Sequence, residues 1–255
     1  MTQTDRPGFR AALSNRTMQM TLGALALLAA AAGTSLAMQN SQGVNAGDKA
    51  AIEQIVRNYI LEHPEIIPEA VDRLQAKRMA NNIDASRQAI ETPYAGAWEG
   101  AAKGDVTLVE FFDYACGYCR ASLPHLTRLV NEDKGLKIVY RELPILSDDS
   151  GDAAKVSLLA AEKGRYMPFH RALYEEGKVT RESILKAASS VGIGRAEAEA
   201  AMASGKYDAE IQSNIALAQR LQASGTPTFV IGDQVLNGAV GYDALKKAIE
   251  TARKE

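Results

Sequence analysis

The chain has 255 residues, 29 basic and 31 acidic side chains, and a formal net charge of −2. No basic patch is evident, so nucleic-acid binding is not expected. With two cysteines and three widely separated histidines, His63, His125 and His170, it lacks the ligand set of a structural zinc site.

The first segment reads as an address rather than as part of a fold. Arg6, Arg10 and Arg16 lead into an uncharged stretch from Thr17 to Gly47 whose apolar core runs from Met20 to Ala32. A basic flank, a short apolar core and small residues at Ser35-Leu36-Ala37 match an export signal cleaved after Ala37. The alternative is an uncleaved anchor, since Met18 to Met38 is just long enough to span a bilayer. Residues 1–37 are therefore expected to be a signal peptide or a membrane anchor, and either one exports the rest of the chain. That remainder carries 26 basic and 30 acidic side chains and is long enough for one well-cored domain plus an appendage.

Residues 38–47 are polar and rich in Gly, Asn, Gln and Ser, which predicts a tether. From Asp48, the residues Ile52, Ile55, Val56, Tyr59, Ile60, Ile66, Ile67, Ala70, Val71 and Leu74 recur at helical spacing. Pro64 suits the first turn of a second helix, so two helices are expected to meet at His63-Pro64. A charged continuation runs to about Glu91, and residues 92–104 read as a linker. The apolar stripe within the 48–91 segment fits either packing on the parent domain or self-association, because both need one apolar face. Pro64 and Pro68 argue against one uninterrupted coiled coil.

Val106 to Phe112 reads as a buried strand, and Arg120 to Asn131 as a helix. Between them stand the two cysteines, as Cys116-Gly117-Tyr118-Cys119. Thiols three residues apart at the first turn of a helix lie on one face, close enough to form a small disulfide ring. The unpaired N–H groups and partial positive charge of a helix N-terminus favour a thiolate there, and the thiolate is the nucleophile of disulfide exchange. An inert structural disulfide is a weak alternative, since so short a loop removes little chain entropy. A soft ion such as Cu(I) could also be held by two thiolates. Glu110 alternates against Val109 and Phe111, and a carboxyl near buried thiols could carry a raised pKa and shuttle a proton to Cys119. Arg120 is expected to be solvated, and His125 to be structural.

A second strand runs from Leu136 to Arg141 and ends at Glu142-Leu143-Pro144. Helices are expected over about 150–163, 166–176, 181–191, 194–203 and 206–223. Thr228 to Ile231 reads as a strand, Gly232-Asp233 as a hairpin turn, Gln234 to Asn237 as the return strand, and Tyr242 to Arg253 as a closing helix. The second strand should run parallel to the first through the helical crossover, with the hairpin adding antiparallel strands on the other side. An exchange site at the C-terminal end of the first strand is the usual place for chemistry on such sheets.

Val109-Glu110-Phe111-Phe112-Asp113-Tyr114, the Cys116–Cys119 pair, Arg141-Glu142-Leu143-Pro144 and Gly225-Thr226-Pro227-Thr228-Phe229 together resemble the DsbA-like family of exported thiol–disulfide oxidoreductases. The N-terminal helices with His63-Pro64-Glu65 resemble its ScsC-type branch. The resemblance covers about residues 48–255. It implies an α/β thioredoxin fold over residues 105–255, with an inserted helical subdomain over about 150–223 and an N-terminal helical extension.

The resemblance also implies roles. Cys116 would be the exposed nucleophile and Cys119 the buried resolving thiol. Pro227 would be a cis-proline facing the pair, leaving Thr226 backbone groups to pair with an extended substrate. Thr226, Pro227, Gly117 and Tyr118 would thus meet the substrate, and Glu110 would relay a proton. Gly117-Tyr118 contains no cation, so the Cys116 pKa is expected to be lowered, but less than in relatives with a cationic dipeptide. No cofactor is expected beyond the redox-active Cys116–Cys119 pair itself.

The implied location is the periplasm, or the periplasmic face of the inner membrane if the anchor is retained. Partners would be cysteine-containing proteins, a membrane redox protein of DsbB or DsbD/ScsB type, and other copies of the chain through residues 48–91. Three functions stay open at this point: an oxidase, an isomerase or reductase, and a Cu(I)-binding or chaperone-like module of copper and oxidative stress tolerance.

Overall fold

The computed structural model describes residues 46–254; the expected export segment and most of the tether lie outside the described residues. The described residues divide into two compact units between Pro68 and Glu69.

In the first unit, helix α1 (Ala46–Glu62) is closed by the His63 N–H donating to the Tyr59 carbonyl at 2.8 Å. A turn at Pro64 and Glu65 follows, and helix α2 (Ile66–Asp84) begins at Ile66. Pro64 therefore precedes the second helix instead of lying in its first turn. Pro68 holds that place, where a missing N–H costs nothing because the first-turn donors have no intrahelical partner. Ile52, Ile55, Val56, Tyr59 and Leu61 are all exposed.

The second unit is built on a five-stranded sheet, in the order β1-β3-β2-β4-β5. β2 (Val106–Phe112) and β3 (Leu136–Glu142) are its parallel centre, in register from Val106 opposite Leu136 to Phe112 opposite Glu142. Both are buried along almost their whole length, as expected of parallel strands covered on both faces. β4 (Thr228–Ile231) pairs antiparallel to β2, and β5 (Gln234–Asn237) returns beside it. The two-residue turn has Gly232 at φ +54° in its first central position, where hairpin geometry favours glycine.

β1 (Trp98–Gly100) pairs antiparallel to β3 and lies within the stretch expected to be a linker. Three residues are too few to show strand alternation. What holds them is tertiary: Ala97 is buried, and the Tyr140 hydroxyl donates to the Glu99 carboxylate.

Side-chain alternation along β2 sorts the core. Val109 and Phe111 face a layer with Ile83 from the end of α2, Ile90 from α3 (Arg87–Glu91), and Leu217 and Ala218 from α9 (Asp208–Arg220). Leu108 and Phe112 face the opposite layer, with α4 (Gly117–Glu132), the helices α5 (Asp148–Glu162), α6 (Tyr166–Glu175), α7 (Arg181–Ser190) and α8 (Arg195–Ala203), and α10 (Tyr242–Ala252). Leu217 and Ala218 thus place the end of the expected 150–223 insert across the sheet from α5–α8.

Arg141 fastens that covering layer. Its buried guanidinium donates to Glu210 at 2.9 Å, Asn214 at 3.1 Å and the Ile90 carbonyl at 3.2 Å, and to the Ala89 and Thr92 carbonyls. Arg141→Ala would leave these acceptors without their donor, and we expect a loss of about 3–5 kcal/mol. Urea unfolding would measure it; a loss below about 1 kcal/mol would mean that α3 and α9 hold to the sheet without this side chain.

Candidate active site

β2 delivers the chain to the C-terminal edge of the sheet, where Asp113 organises the approach. Its Oδ1 accepts from the Ala115 N–H at 2.8 Å and the Ser150 hydroxyl at 2.7 Å, and its Oδ2 accepts from the Ile145 and Leu146 N–H groups at 2.8 Å each. One buried carboxylate therefore ties the β2–α4 turn to the loop after β3. The Asp113 carbonyl accepts from the Cys116 N–H at 3.0 Å and from the Tyr174 hydroxyl at 3.2 Å.

Cys116 is the N-cap of α4, with extended backbone angles (φ −81°, ψ 110°). Its Sγ accepts from the Cys119 N–H at 3.3 Å and gives its own proton to the Thr226 carbonyl at 3.2 Å. The thiolate would keep the first bond and lose the second. The N-cap position thus supplies a donor from the first turn, as capping side chains do elsewhere. Both cysteines are free thiols in this structure.

Cys116 was expected to be exposed, yet it is 5% exposed against 2% for Cys119. Thr226 and the first turn of α4 cover it, while Ala115, Gly117 and Tyr118 around it are exposed. Chemistry separates the two thiols more than exposure does. Burial pushes the Cys119 thiol well up, and nearby Glu110 adds to the effect, so Cys119 holds its proton until something removes it.

The Thr226–Pro227 peptide is cis, and the loop presents the Thr226 carbonyl to Cys116. The structure thus brings Cys116, Cys119, Thr226 and Pro227 together, with Gly117 and Tyr118 at the surface beside them.

Glu110 shares the β2 face of Leu108 and Phe112, beneath α4. It is 2% exposed, and its Oε1 has no hydrogen-bond partner among the described residues. Burial pushes this carboxyl well above its ordinary range, and the nearby Cys116 and Glu99 raise it further. The geometry that alternation predicted is present.

Sequence reasoning missed the polar interior beside it. Glu142, buried at the end of β3, accepts from the Tyr166 hydroxyl at 3.3 Å and is also pushed well up by burial. The Tyr114 hydroxyl bonds to Ser157 at 2.8 Å and to His170 Nδ1 at 3.1 Å. His170 sits against the rings of Phe112, Tyr140, Tyr166 and Tyr174, and burial pulls its pKa down to about 3, so it is neutral. Arg120 is exposed, as expected, and also donates to the Gly177 carbonyl at 2.9 Å. His125 is half-buried along α4 and is not among the groups around the thiols.

Residues 107–250 match the family described as the DSBA-like thioredoxin domain. The chain belongs to that family. Residues 48–80 match the copper resistance protein ScsC N-terminal domain. A thioredoxin-like oxidoreductase from Silicibacter pomeroyi is 38% identical, with a TM-score of 0.63, and the match covers 66% of this chain and 98% of that one. ScsC of Proteus mirabilis in a transitional conformation is 25% identical, with a TM-score of 0.63 over 83% of this chain and 99% of that one.

A curated relative, the Na(+)/H(+) antiporter NhaA 3 of Salinispora tropica, is 25% identical over 156 residues, which cover 60% of this chain. The chain spans only 24% of that relative's length, so the likeness concerns a part of the antiporter. No helix among the described residues is long and apolar enough to cross a membrane.

Proposed function

We propose that this DSBA-like protein is exported to the periplasm and exchanges disulfides with protein substrates through Cys116 and Cys119, working as an isomerase or reductase whose pair is kept as a dithiol. The observation that carries the exchange reading is Cys116 at the N-cap of α4, bonded to the Cys119 N–H and facing the Thr226 carbonyl. In the forward step the Cys116 thiolate attacks a substrate disulfide. A Cys116–substrate S–S bond forms, and the displaced substrate sulfur leaves as a thiolate. That thiolate can attack a second substrate disulfide, and a substrate thiolate then releases Cys116, which completes an isomerisation. Alternatively the Cys119 sulfur attacks Cys116, leaving an oxidised pair and a reduced substrate. A membrane electron donor resembling DsbD or ScsB would restore the dithiol.

The direction is supported by the N-terminal segment. Ile52, Ile55, Val56 and Tyr59 on α1 offer exposed apolar area at helical spacing, which suits self-association. An isomerase benefits from several exchange sites held near one substrate.

Alkylation trapping in living cells tests the direction. A mainly reduced Cys116–Cys119 pool is expected. A mainly oxidised pool would replace this reading with an oxidase regenerated by a quinone-linked partner resembling DsbB. Deleting residues 48–75 is expected to convert an oligomer into monomers in light scattering, and to lower isomerisation of a scrambled protein on the order of tenfold or more. A full-length chain that is already monomeric would remove the oligomeric part of the proposal.

A further inference from the structure

Beneath the thiols a polar row crosses three adjacent strands on one face of the sheet. Glu110 on β2 stands opposite Tyr140 on β3, and Glu99 on β1 stands opposite Ile138, two residues before Tyr140. Paired residues take the same face, and residues two apart on a strand share it. At about 4.8 Å per strand spacing, the row runs about 10 Å from Glu110 to β1, the edge strand. The Tyr140 hydroxyl donates to Glu99 Oε1, and Arg171 of α6 donates to Glu99 Oε2 at 3.2 Å. The side chains of Glu99 and Arg171 are 11% and 47% exposed, so this end of the row meets solvent. The inner end is closed. Glu110 Oε1 has no partner among the described residues, and the neighbouring carboxyls of Glu142 and Asp113 are buried at 2% and 1% exposed. A proton taken up by Glu110 therefore needs a way out, and Glu99 is the carboxylate of this face that reaches water.

Resting on the exchange reading above, with Glu110 as the base for Cys119, we infer that Glu99 is the outlet through which that proton reaches solvent, passed on by the Tyr140 hydroxyl. As the Cys119 sulfur attacks Cys116, the Cys116–Cys119 bond forms, the Cys116–substrate bond breaks, and the substrate sulfur leaves as a thiolate. The Cys119 proton goes to the Glu110 carboxylate. Glu110 passes a proton through one water to the Tyr140 oxygen, while the Tyr140 hydroxyl proton moves to Glu99. Glu99 then releases it beside Arg171. Glu110 is again a carboxylate, Tyr140 a neutral phenol, and one proton has left for the thiolate formed. Opening of the Cys116–Cys119 disulfide by a reductant thiolate draws a proton inward by the same path. Burial holds the Tyr140 hydroxyl well above its ordinary range, so the phenol hands protons on without storing charge.

In the test, the full chain in its dithiol form is mixed with an aromatic disulfide whose thiol leaves as a coloured thiolate. The first thiolate reports attack by Cys116 and the second reports the Cys116–Cys119 bond, while a pH indicator in weakly buffered, mildly alkaline solution reports protons. In wild type the Cys119 proton is expected together with the second thiolate. In Glu99→Gln the amide still accepts from Tyr140 yet takes no proton, so the second thiolate is expected on time and its proton late. The proton then waits for local opening of the fold, and a lag of about tenfold or more is expected. Tyr140→Phe, which keeps the ring and loses the hydroxyl, is expected to lag likewise.

Formate, a small carboxylate, is expected to shorten the lag in Glu99→Ala, a repair that a purely structural role would not show. Proton and second thiolate arriving together in Glu99→Gln, or a lag indifferent to formate in Glu99→Ala, would overturn the outlet. The base reading would still stand if Glu110→Gln slowed the second thiolate. An unchanged second thiolate in Glu110→Gln would remove base and outlet together, and a wild type that releases no thiolate would remove the exchange reading itself.

Discussion

Cys116→Ala is expected to reduce disulfide exchange to the rate of the buffer control, whereas Cys119→Ser is expected to leave the protein covalently joined to its substrates. The two outcomes differ because the structure gives the two sulfurs different work. Cys116 sits at the N-cap, receives the Cys119 N–H and lies beside exposed Gly117 and Tyr118. A substrate sulfur can reach it once the small cover at Thr226 gives way. Without that sulfur the only cysteine left in the sequence is the buried Cys119, and no mixed disulfide is expected to form.

Cys119 lies deeper, with burial pushing its thiol well up, so it is a poor first attacker. It becomes effective only when Cys116 already carries a substrate and the attack is intramolecular, where proximity replaces a bimolecular encounter. Serine keeps the size of Cys119 but cannot close the S–S bond, so the mixed disulfide persists. Intact mass measured without reductant would show the adduct in Cys119→Ser and none in Cys116→Ala. Rapid exchange by Cys116→Ala would mean that Cys119 is the nucleophile and that the N-cap reading of the site is wrong.

What was legible in the sequence follows from how far apart the interacting residues lie. The CxxC placement needs only a strand, a turn and a helix within about 25 consecutive residues, and local pattern states all three. Alternation states the face that Glu110 takes, because a two-residue period on a buried strand fixes it, while its relay role rests also on the family resemblance.

Asp113 carried no such signal. Its work is to join the turn before Cys116 to Ile145, Leu146 and Ser150, which are more than 30 residues away. Tyr166 and His170 stack one turn apart on α6, but Glu142 meets Tyr166 only through tertiary packing, and no local spacing states that. Likewise β1 is strand only by pairing with β3, and the partners of Arg141 come from α3 and α9. The cis bond at Pro227 was implied by family resemblance and not by composition, since an X-Pro before a strand fits either isomer. Local grammar therefore located the reactive atoms, while the polar interior that conditions them depends on tertiary packing.

Glu110→Gln is the substitution that tests whether that interior takes part in the chemistry. When Cys119 attacks the mixed disulfide its proton must leave, and when Cys119 is the leaving sulfur a proton must return. Water has little access to a residue only 2% exposed, which leaves Glu110 on the same face of the sheet. Its carboxylate can take the proton, and its carboxylic acid can give it back. General acid–base catalysis of this kind contributes on the order of 10²- to 10⁴-fold, so the resolving step is expected to slow by at least about 10²-fold in Glu110→Gln. The first attack, by Cys116, should change little.

The pH dependence carries the sign. As a base Glu110 must be ionised, so the wild-type resolving rate should rise with pH through a carboxyl value above the ordinary 4.5. In the glutamine variant the rise should shift to higher pH, where Cys119 loses its proton unaided. Stability should move the opposite way. Because burial raises the folded-state value, ionisation of Glu110 costs the folded protein stability as pH rises above about 4.5, the value in the unfolded chain. Glutamine removes that cost, so the reduced variant should be the more stable protein at neutral and alkaline pH and lose its advantage below about pH 4.5. Stopped-flow decay of a preformed mixed disulfide and denaturant unfolding, each followed across pH, measure the two effects separately. A carboxyl that only fills space would show the stability gain with an unchanged resolving rate, and that result would sink the relay.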